Sequence, residues 1–477
     1  MRTFGLLVMV MTLGGSGCTE RLPLRDGGGG DDAGADARAD GPPLADVSVD
    51  GDHRDMLADS GTSSWPAPCG PRRAGFVGPL CAGKACSVGA QSIVAESGSS
   101  PALALDGSGA PMVFHRIAGP GFVGRFARQK SDGSWSSEAL PVTTAGATLS
   151  WLEGKPAMIA YDGALHQSLL VREAGGWRTL HTFAGKGWGG FERSFAVDSA
   201  GCAHVTRVEI VQQGSTRAEL ATYYRRDPSG AWAHYRFGAA NWLTALALAP
   251  DGDAHLAYWG SGSTPGWSLF HGEKGVAKRV TPLGVGGANA ALSERRVGLA
   301  IAAGAAGPRV LIAMLRERSD GREITLASAP LGTSNYSFTV IASEPADSKC
   351  QGMPTQSSES CSYDDVDYRP LALVASADGD VRMLLGKHRE HGELKAQCPF
   401  GAPGPGPIPP PQCSWQGERH QEGSLVIASR DSSGAFTQRT LVAGLDAVEA
   451  SARVDAQGRI HVAVSAADGK VRYLRLE

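Results

Sequence analysis

The sequence predicts an all-β protein, a β-propeller of seven four-stranded blades that follows a disordered N-terminal tether. Three observations lead to this prediction: a strand–turn–strand signature recurs along the chain, a second hairpin signature follows most copies, and the last copy is incomplete. A ring of six blades, an open array of repeats and two β-sandwiches remain as alternatives, because evenly spaced strands suit all of them.

The first signature consists of alternating small and apolar residues, then Asp-x-x-Gly or a variant, then an apolar strand that often begins with His. Such a pattern is typical of a strand, a tight turn and a second strand. Clear copies begin at Pro101, Ser194, Ala245, Leu371 and Ala450.

The second signature is an alternating strand, a turn with Gly, and a strand that opens with Trp or another apolar residue. Two successive hairpins give a unit of about 45 residues, which is the period of propeller blades. The blades are predicted to start near residues 101, 147, 193, 244, 290, 370 and 450.

The ends of the repeat region indicate that the ring is closed. The last unit stops after its third strand, at "KVRYLRLE", and "QSIVAES" before the first unit resembles a fourth strand without a partner. We expect this N-terminal strand to complete the last blade, because closure removes exposed sheet edges.

Composition limits the class of protein. The chain has 477 residues, 64 of them Gly, with a formal net charge of −3. This length exceeds a single ordinary core, so the chain must divide or repeat. The nearly balanced charge gives no electrostatic footprint for nucleic acid, so no nucleic-acid partner is predicted.

The N-terminus predicts export. An apolar run over Phe4–Leu13, too short to span a membrane, leads through small residues to Cys18. This segment resembles the lipobox of bacterial lipoproteins, although Gly15 stands where Leu is usual. The resemblance implies a signal peptide over residues 1–17, a lipid on Cys18 that binds the membrane, and, with Thr19 next, the outer membrane or cell surface. An ordinary secretory signal cut near Gly17 is the alternative.

The predicted domains are a lipidated and disordered linker over 18–65, a Cys-rich lead-in over 66–90, and the propeller over 91–477. The linker is rich in Asp, Gly and Ala and holds too few apolar residues to order itself. Its repeated aspartates are a weak hint of calcium, and no EF-hand spacing accompanies them. No other cofactor and no metal site are predicted.

Cysteine usage agrees with an oxidising compartment. Without Cys18, eight of the nine cysteines remain, an even number that suits disulfides. The predicted pairs, Cys350 with Cys361 and Cys398 with Cys413, each bracket a short polar loop. The pairing of four others is left open: Cys69, Cys81, Cys86 and Cys202. A zinc site on Cys81 and Cys86 would lack a second pair of ligands.

Strand parity separates two faces of the ring. The turns after the first and third strands of each blade share one side, which we call the scaffold face because its turns repeat. His204, His255 and His461 lie there and are expected to be structural. The other side, the insertion face, carries predicted insertions over 334–368 and 390–423. Long loops on a rigid scaffold often hold function.

Shorter loops of the insertion face also carry aromatic residues, including Phe191 and Trp267. Aromatic rings with nearby polar groups suit hydroxyl-rich ligands such as sugars, although some of these rings could pack between blades. The candidate ligand-binding residues are Trp188, Trp242, Tyr258, Trp259, Arg116, Asp365 and Arg369.

Two outer turns, at residues 131–135 and 429–436, resemble the Asp box of sialidases, Ser-x-Asp-x-Gly-x-Thr-Trp, but one is too short and the other one residue too long. The resemblance would imply three arginines, a Tyr–Glu nucleophile pair and an acid. The residues available for these roles are Arg116, Arg207, Arg369, Glu209, Asp365 and Tyr368. No motif fixes their geometry, so no catalytic residue is assigned.

Another metal interpretation, from His388-x-x-His391, lacks the spacing of a zinc helix. The sequence therefore predicts a cell-envelope lipoprotein that binds a glycan, a peptide or a partner protein and is not an enzyme. A sialidase-like glycoside-processing enzyme and an envelope assembly scaffold are the alternatives.

Overall fold

A computed structural model describes residues 64–73, 75–117, 123–189, 194–213, 216–240, 244–261, 267–280, 297–304, 307–318, 321–345, 350, 354, 359–398, 413–431 and 434–477. The signal peptide, Cys18 and the linker up to residue 63 lie outside these residues, as do Phe191 and Trp242. In the part of the chain described, no helix is long and apolar enough to cross a membrane.

The chain forms seven antiparallel sheets, the blades of a propeller, as predicted. Strand β1 (Val88–Ala95) precedes the first blade. The first blade contains β2 (Ser99–Leu105), β3 (Pro111–Arg116), β4 (Val123–Gln129) and β5 (Trp135–Thr143). The second contains β6 (Gly146–Leu152), β7 (Lys155–Tyr161), β8 (Gln167–Glu173) and β9 (Gly176–Thr182). The third contains β10 (Lys186–Gly189), β11 (Phe195–Val197), β12 (Ala203–Gln213), β13 (Thr216–Arg226) and β14 (Trp232–Ala239).

The remaining blades continue the same order along the chain. The fourth contains β15 (Thr244–Leu248), β16 (Ala254–Ser261), β17 (Trp267–Glu273) and β18 (Val276–Arg279). The fifth contains β19 (Gly298–Gly304), β20 (Gly307–Arg318), β21 (Gly321–Pro330) and β22 (Ser337–Pro345). The sixth contains β23 (Ser360–Ala375), β24 (Val381–Gln397), β25 (Ser414–Arg430) and β26 (Phe436–Ala443). The seventh contains β27 (Ala447–Val454), β28 (Ile460–Ala466) and β29 (Val471–Leu476).

The N-terminal strand closes the ring. Strand β1 pairs antiparallel with β29, with Val88 opposite Leu476 and Ser92 opposite Tyr473. Just outside this ladder, the backbones of Ser87 and Glu477 exchange two hydrogen bonds of 2.9 Å each. The predicted completion of the last blade is therefore confirmed, and the two ends of the propeller stabilise each other.

Apolar side chains fill the spaces between neighbouring blades. Between the first two blades, Met112 and Phe114 of β3 pack against Leu149 of β6 and Met158 of β7, and all four are buried. Small residues such as Ala102 occupy the innermost strands, where adjacent blades approach most closely. Burial of each large side chain contributes about 1.5–3 kcal/mol.

The repeated turns of the scaffold face are built around a carboxylate. In the first blade, Asp106 Oδ1 accepts hydrogen bonds from the backbone N–H groups of Ser108 and Ala110, both at 2.9 Å. Gly109 adopts a φ of 86°, which only Gly reaches without strain. The same carboxylate geometry recurs at Asp455 in the seventh blade. The Asp-x-x-Gly signature thus specifies the turn itself.

The lead-in, residues 64–87, lies across the scaffold face, and we call it the strap. Its Trp65 stacks on Tyr223 of the third blade, with ring centroids 4.8 Å apart. Further along, Arg72 Nη1 donates to Ile301 O of the fifth blade at 2.8 Å. The strap then makes a single 3₁₀-type turn, Leu80–Gly83, and the N–H of Cys81 donates to Gly458 O of the seventh blade at 3.0 Å. The strap therefore ties distant blades together.

Four disulfides are present among the described residues. Both predicted pairs, Cys350–Cys361 and Cys398–Cys413, are confirmed. The pairs that the sequence left open are Cys69–Cys202 and Cys81–Cys86. The first of these bonds the strap to a turn of the third blade. Since Cys81 and Cys86 form a disulfide, the zinc interpretation of these residues is wrong.

Long strands occupy much of the described part of the two predicted insertions, 334–368 and 390–423, where the sequence analysis expected loops. Strands β23, β24 and β25 are 16–17 residues long and remain paired far beyond the other blades, with Ser360 opposite Lys395 and Gln397 opposite Ser414. We call residues 360–369, 387–398 and 413–423 the arm. Both of its parts belong to the sixth blade, not to two neighbouring blades. The arm buries the side chains of Cys361, Tyr363, Leu394 and Ala396 near its tip, and the polar run between these residues and the core of the blade interrupts the hydrophobic alternation.

Candidate functional site: the arm and its base

Two of the predicted aromatic binding residues are buried, which corrects that prediction. Tyr258 and Trp259 lie inside β16 and are 2% and 4% exposed. Tyr258 packs against Phe270, with ring centroids 5.5 Å apart, and Trp259 belongs to the apolar cluster between the fourth and fifth blades. Neither ring offers a face to a ligand. Trp188 lies in β10, but its side chain, like that of Trp267 and all of Trp242, is outside the described residues.

The arginines suggested by the sialidase resemblance are distributed over separate blades. Arg116 ends β3 of the first blade, where its Nε donates to Ser99 Oγ at 3.2 Å. Arg207 is fully buried in the third blade, with its guanidinium 5.6 Å from the ring of Phe183. Arg369 lies in the sixth blade, at the base of the arm. No contact among the described residues brings these three together.

Glu209 and Tyr368, the residues available for a Tyr–Glu nucleophile pair, lie in different blades. Glu209, in β12, is held by Arg236 through contacts of 3.0 and 3.3 Å. Burial, and then the negative charge of Glu209, raises the pKa of the neighbouring Tyr224 to about 12. A phenol with a raised pKa is ionised less at neutral pH and is therefore a poorer nucleophile. We interpret the contact between Glu209 and Tyr224 as structural. Tyr368, the tyrosine that the sequence analysis named for this role, lies in the arm.

A chain of alternating charges joins the arm to the propeller, and we call it the base network. It contains Glu344, Arg322, Asp367, Arg369, Asp446 and His388. Arg322 links two carboxylates: its Nε lies 2.9 Å from Glu344 Oε2 and its Nη2 lies 2.7 Å from Asp367 Oδ1. This part of the network connects the fifth blade to the arm.

The second half of the base network connects the arm to the seventh blade. Arg369 Nε lies 3.7 Å from Asp367 Oδ2, and its Nη1 lies 3.7 Å from Asp446 Oδ1. His388 Nδ1 lies 3.3 Å from Asp446 Oδ2. Because Arg369 and Asp446 immediately precede inner-strand residues, they lie on the insertion face near the central axis.

Glu344 is the titratable group of this network that the sequence analysis missed. Burial raises the pKa of Glu344 to about 7, and the nearby carboxylate of Asp367 adds to this, against the Tyr368 N–H and Arg322. A carboxyl that titrates near neutral pH is a candidate for a functional group. No local pattern marks Glu344, since its neighbours come from β21 and β23.

The arm itself is covered with exposed ion pairs. Arg389 contacts Asp364 through two bonds of 2.7 and 2.8 Å. Glu390 accepts a hydrogen bond of 2.9 Å from Tyr363 Oη and one of 3.3 Å from Arg419 Nη1. Asp365 lies opposite Glu390 in the ladder. The arm therefore presents a polar surface of mixed charge.

The β25 edge of the arm is open. Strand β25 pairs with β26 only over Ser424–Arg430, so residues 414–423 have a ladder on the β24 side alone among the described residues. Four side chains on this edge are charged or titratable: Glu418, Arg419, His420 and Glu422. Charges on an edge strand oppose self-association, yet the free backbone groups remain available to another chain.

The two histidines of the His388-x-x-His391 pattern do not converge on one point. His388 and His391 are three residues apart in a strand, so they point to opposite faces, and His391 stacks near His420 instead. Two described clusters have metal-binding groups in range. One holds Cys69 and Cys202, whose sulfurs are joined in a disulfide. The other holds His255, His271 and Glu273.

The structural role predicted for the scaffold-face histidines is confirmed in two blades. In the third, His204 Nδ1 lies 2.7 Å from Tyr223 Oη and its Nε2 lies 3.3 Å from Asp198 Oδ2. In the seventh, His461 makes the same two contacts, at 2.7 and 2.9 Å, with the corresponding Tyr and Asp. These buried groups satisfy one another, as packed polar side chains must.

No known protein-family profile matches the chain, and no curated protein matches it. Solved structures of similar fold include an ulvan lyase of a new polysaccharide lyase family (TM-score 0.48, 11% identity, 81% of this chain and 96% of that one). An α-L-arabinanase of Penicillium chrysogenum has a TM-score of 0.40 at 11% identity over 64% of this chain and 94% of that one. A neuraminidase-like protein of a flat-faced bat isolate from Peru has a TM-score of 0.36 at 10% identity over 78% and 96%. Likeness at this level concerns the propeller fold alone.

Proposed function

We propose that this protein is a tethered binding propeller that holds a partner protein on its arm. The observation that carries the proposal is the arm, a three-stranded extension held by two disulfides, whose β25 edge is open and charged. A strand with free backbone groups can pair with a partner's strand, and its alternating charges then select the partner.

The shape and chemistry of the insertion face favour a protein over a small sugar. Small-ligand sites are concave and lined by apolar and aromatic side chains. The arm instead extends by about ten residues per strand, or roughly 30 Å, past the usual blade length. Tyr258 and Trp259, which a stacked sugar would need, are buried.

A glycoside-processing activity has less support from the described residues. Such an enzyme needs two carboxyl groups on either side of a substrate. Glu344 and Asp367 are instead bridged by one guanidinium, that of Arg322. Asp446, the third carboxylate of the base network, is occupied by Arg369 and His388.

The position of the strap supports a display role. Trp65, near the start of the described chain, packs on the scaffold side of the third blade. The described chain therefore enters the propeller on the scaffold face, opposite the arm.

Site-specific photo-crosslinking on whole cells tests the arm. We expect a crosslinker at Gln421, on the open edge, to give one discrete adduct that excess unlabelled protein removes by competition. The same crosslinker at Gln457, an exposed scaffold turn, should give none. Arg419→Glu should abolish the Gln421 adduct. Equal adducts at both positions, or glycan-array binding that survives removal of the arm, would contradict the proposal.

Fractionation tests the anchor. Cys18→Ser should move the protein from the membrane to the soluble fraction, because a diacyl group is removed while the signal remains intact. Metabolic labelling with a fatty-acid analogue should be lost in parallel. Unchanged membrane association with no labelling of the wild-type protein would rule out the lipid anchor while leaving the role of the arm to the crosslinking result.

A further inference from the structure

Three blades begin their second strand with a buried histidine at the same place in the repeat. In the third and seventh blades, three neighbours of this histidine are also equivalent. An Asp stands six residues before it, an Arg faces it on the third strand, and a Tyr stands two residues before that Arg. These sets are Asp198, His204, Tyr223 and Arg225 in the third blade, and Asp455, His461, Tyr473 and Arg475 in the seventh.

The fourth blade replaces all three neighbours of its histidine, His255. Ala249 stands in place of the Asp, Glu273 faces the histidine in place of the Arg, and His271 takes the position of the Tyr. The substitutions remove one carboxylate and one cation and add a carboxylate and an imidazole. This is the composition of a transition-metal site, not of the Asp–His–Tyr network.

The donor atoms of the fourth blade have the spacing of metal ligands. His255 Nδ1 lies 2.9 Å from His271 Nε2 and 3.6 Å from Glu273 Oε2, and His271 Nε2 lies 4.0 Å from Glu273 Oε2. The point equidistant from these three atoms is about 2.1 Å from each. Zinc binds His nitrogen at about 2.0–2.1 Å and carboxylate oxygen at about 2.0–2.2 Å.

The surrounding contacts orient these donors. His271 Nδ1 lies 2.8 Å from Tyr336 Oη, so its Nε2 can keep a free lone pair toward the centre of the triangle. Lys278 Nζ lies 2.7 Å from Glu273 Oε1, while Oε2 accepts a long hydrogen bond of 3.4 Å from the Gly332 N–H and faces the two histidines. Outer contacts of this kind are typical of metal sites.

The cluster is deeply buried. His255 is 3% exposed, His271 is 0% exposed and Glu273 is 8% exposed. A cation at the centre of the three donor atoms would therefore be shielded from water.

We propose that His255, His271 and Glu273 bind one divalent transition metal ion, zinc by preference, as a structural site in the fourth blade. The ion would join the second and third strands of that blade where the third and seventh blades use a hydrogen-bonded network. The site lies on the scaffold face and is independent of the proposed partner-binding arm.

Metal titration of the full exported chain tests the site. After removal of metals by a chelator, we expect the protein to take one tightly bound equivalent of Zn²⁺ from a chromophoric competitor and its Tm to rise. Co²⁺ should give visible d–d bands without the thiolate absorption of a cysteine site. Glu273→Gln should weaken the Zn²⁺ affinity at least about a hundredfold, since even outer contacts contribute ten- to a hundredfold.

Two further variants separate this site from other zinc-binding groups and from misfolding. His461→Gln, at the equivalent position of the seventh blade, should leave the tight equivalent unchanged. The double variant His271→Tyr with Glu273→Arg restores two of the three replaced positions to the pattern of the other blades and should fold but take no tight equivalent. No tight equivalent in the wild-type protein, or one that persists in both Glu273 variants, would overturn the proposal.

Discussion

The two faces of this propeller use charged residues in opposite ways. On the scaffold face, buried carboxylates such as Asp106 and Asp455 are surrounded by N–H donors within one turn. On the insertion face, ion pairs such as Arg389–Asp364 lie on the exposed arm, where each pair stabilises by at most about 1 kcal/mol. The scaffold face therefore stabilises the fold, whereas the insertion face is free to present a surface.

The strap increases this asymmetry. It bonds to turns of the scaffold face in several blades and leads directly into β1, which completes the seventh blade. The arm, in contrast, contacts the propeller mainly through its base network and the inner part of the sixth blade. One extension therefore belongs to the cooperative core, and the other is an addition to it.

Matched deletions of the strap and of the arm should show the largest difference in stability between the two extensions. Removal of residues 64–95 takes away the strap and β1, so we expect loss of cooperative thermal unfolding and aggregation through the exposed edge of β29. Replacement of residues 389–422 by an Asn-Gly turn removes most of the arm, and we expect Tm to change by less than about 5 °C. Calorimetry of both variants measures Tm and the cooperativity of thermal unfolding.

A larger loss of stability from the arm deletion than from the strap deletion would contradict the roles assigned to the two faces. If shortening the arm abolished folding while the strap deletion left a cooperative transition, the arm would be the stabilising element. A size-exclusion profile of each variant distinguishes folded monomer from aggregate before the Tm values are compared.

Much of the fold could be predicted from sequence because its signals are local. Each Asp-x-x-Gly turn specifies its own geometry, as Asp106 and Gly109 show, and seven similar units leave few arrangements other than a ring. The predicted blade start near 370 is late because β23 begins at Ser360, within the arm. The polar run over residues 364–367 in the middle of this strand gives no hydrophobic alternation from which the strand could be predicted.

The candidate site was much less predictable, because it depends on contacts between distant residues. Trp259 and Tyr258 have the composition of a binding surface, and only the packing of adjacent blades shows that they are core. Glu344 acquires its raised pKa from burial and, to a smaller extent, from Asp367, which lies in a different blade. The replacement set around His255 could have been found by aligning the repeats residue by residue, which is a signal that the general blade period hides.

The stability of the two faces should depend on pH in opposite directions, and this effect should be smaller than that of the deletions. On the insertion face, burial raises the pKa of Glu344 from 4.5 to about 7, so the folded state binds a proton that the unfolded state has released. The free energy of unfolding therefore falls as pH rises through this window. On the scaffold face, burial lowers the pKa of His461 below 6.5, so the contribution of this residue is lost as pH falls below that value.

Glu344→Gln imitates the protonated carboxyl at every pH. We expect its unfolding free energy to match that of the wild-type protein near pH 4.5 and to exceed it by about 1–3 kcal/mol above pH 7. For His461→Gln, which lowers stability overall, the deficit should shrink as pH falls, because only the wild-type protein then bears the cost of charging a buried imidazole. Urea unfolding across this range measures both slopes. Curves for Glu344→Gln and wild type that run parallel would show that Glu344 does not titrate near neutral pH and that the base network is charged throughout.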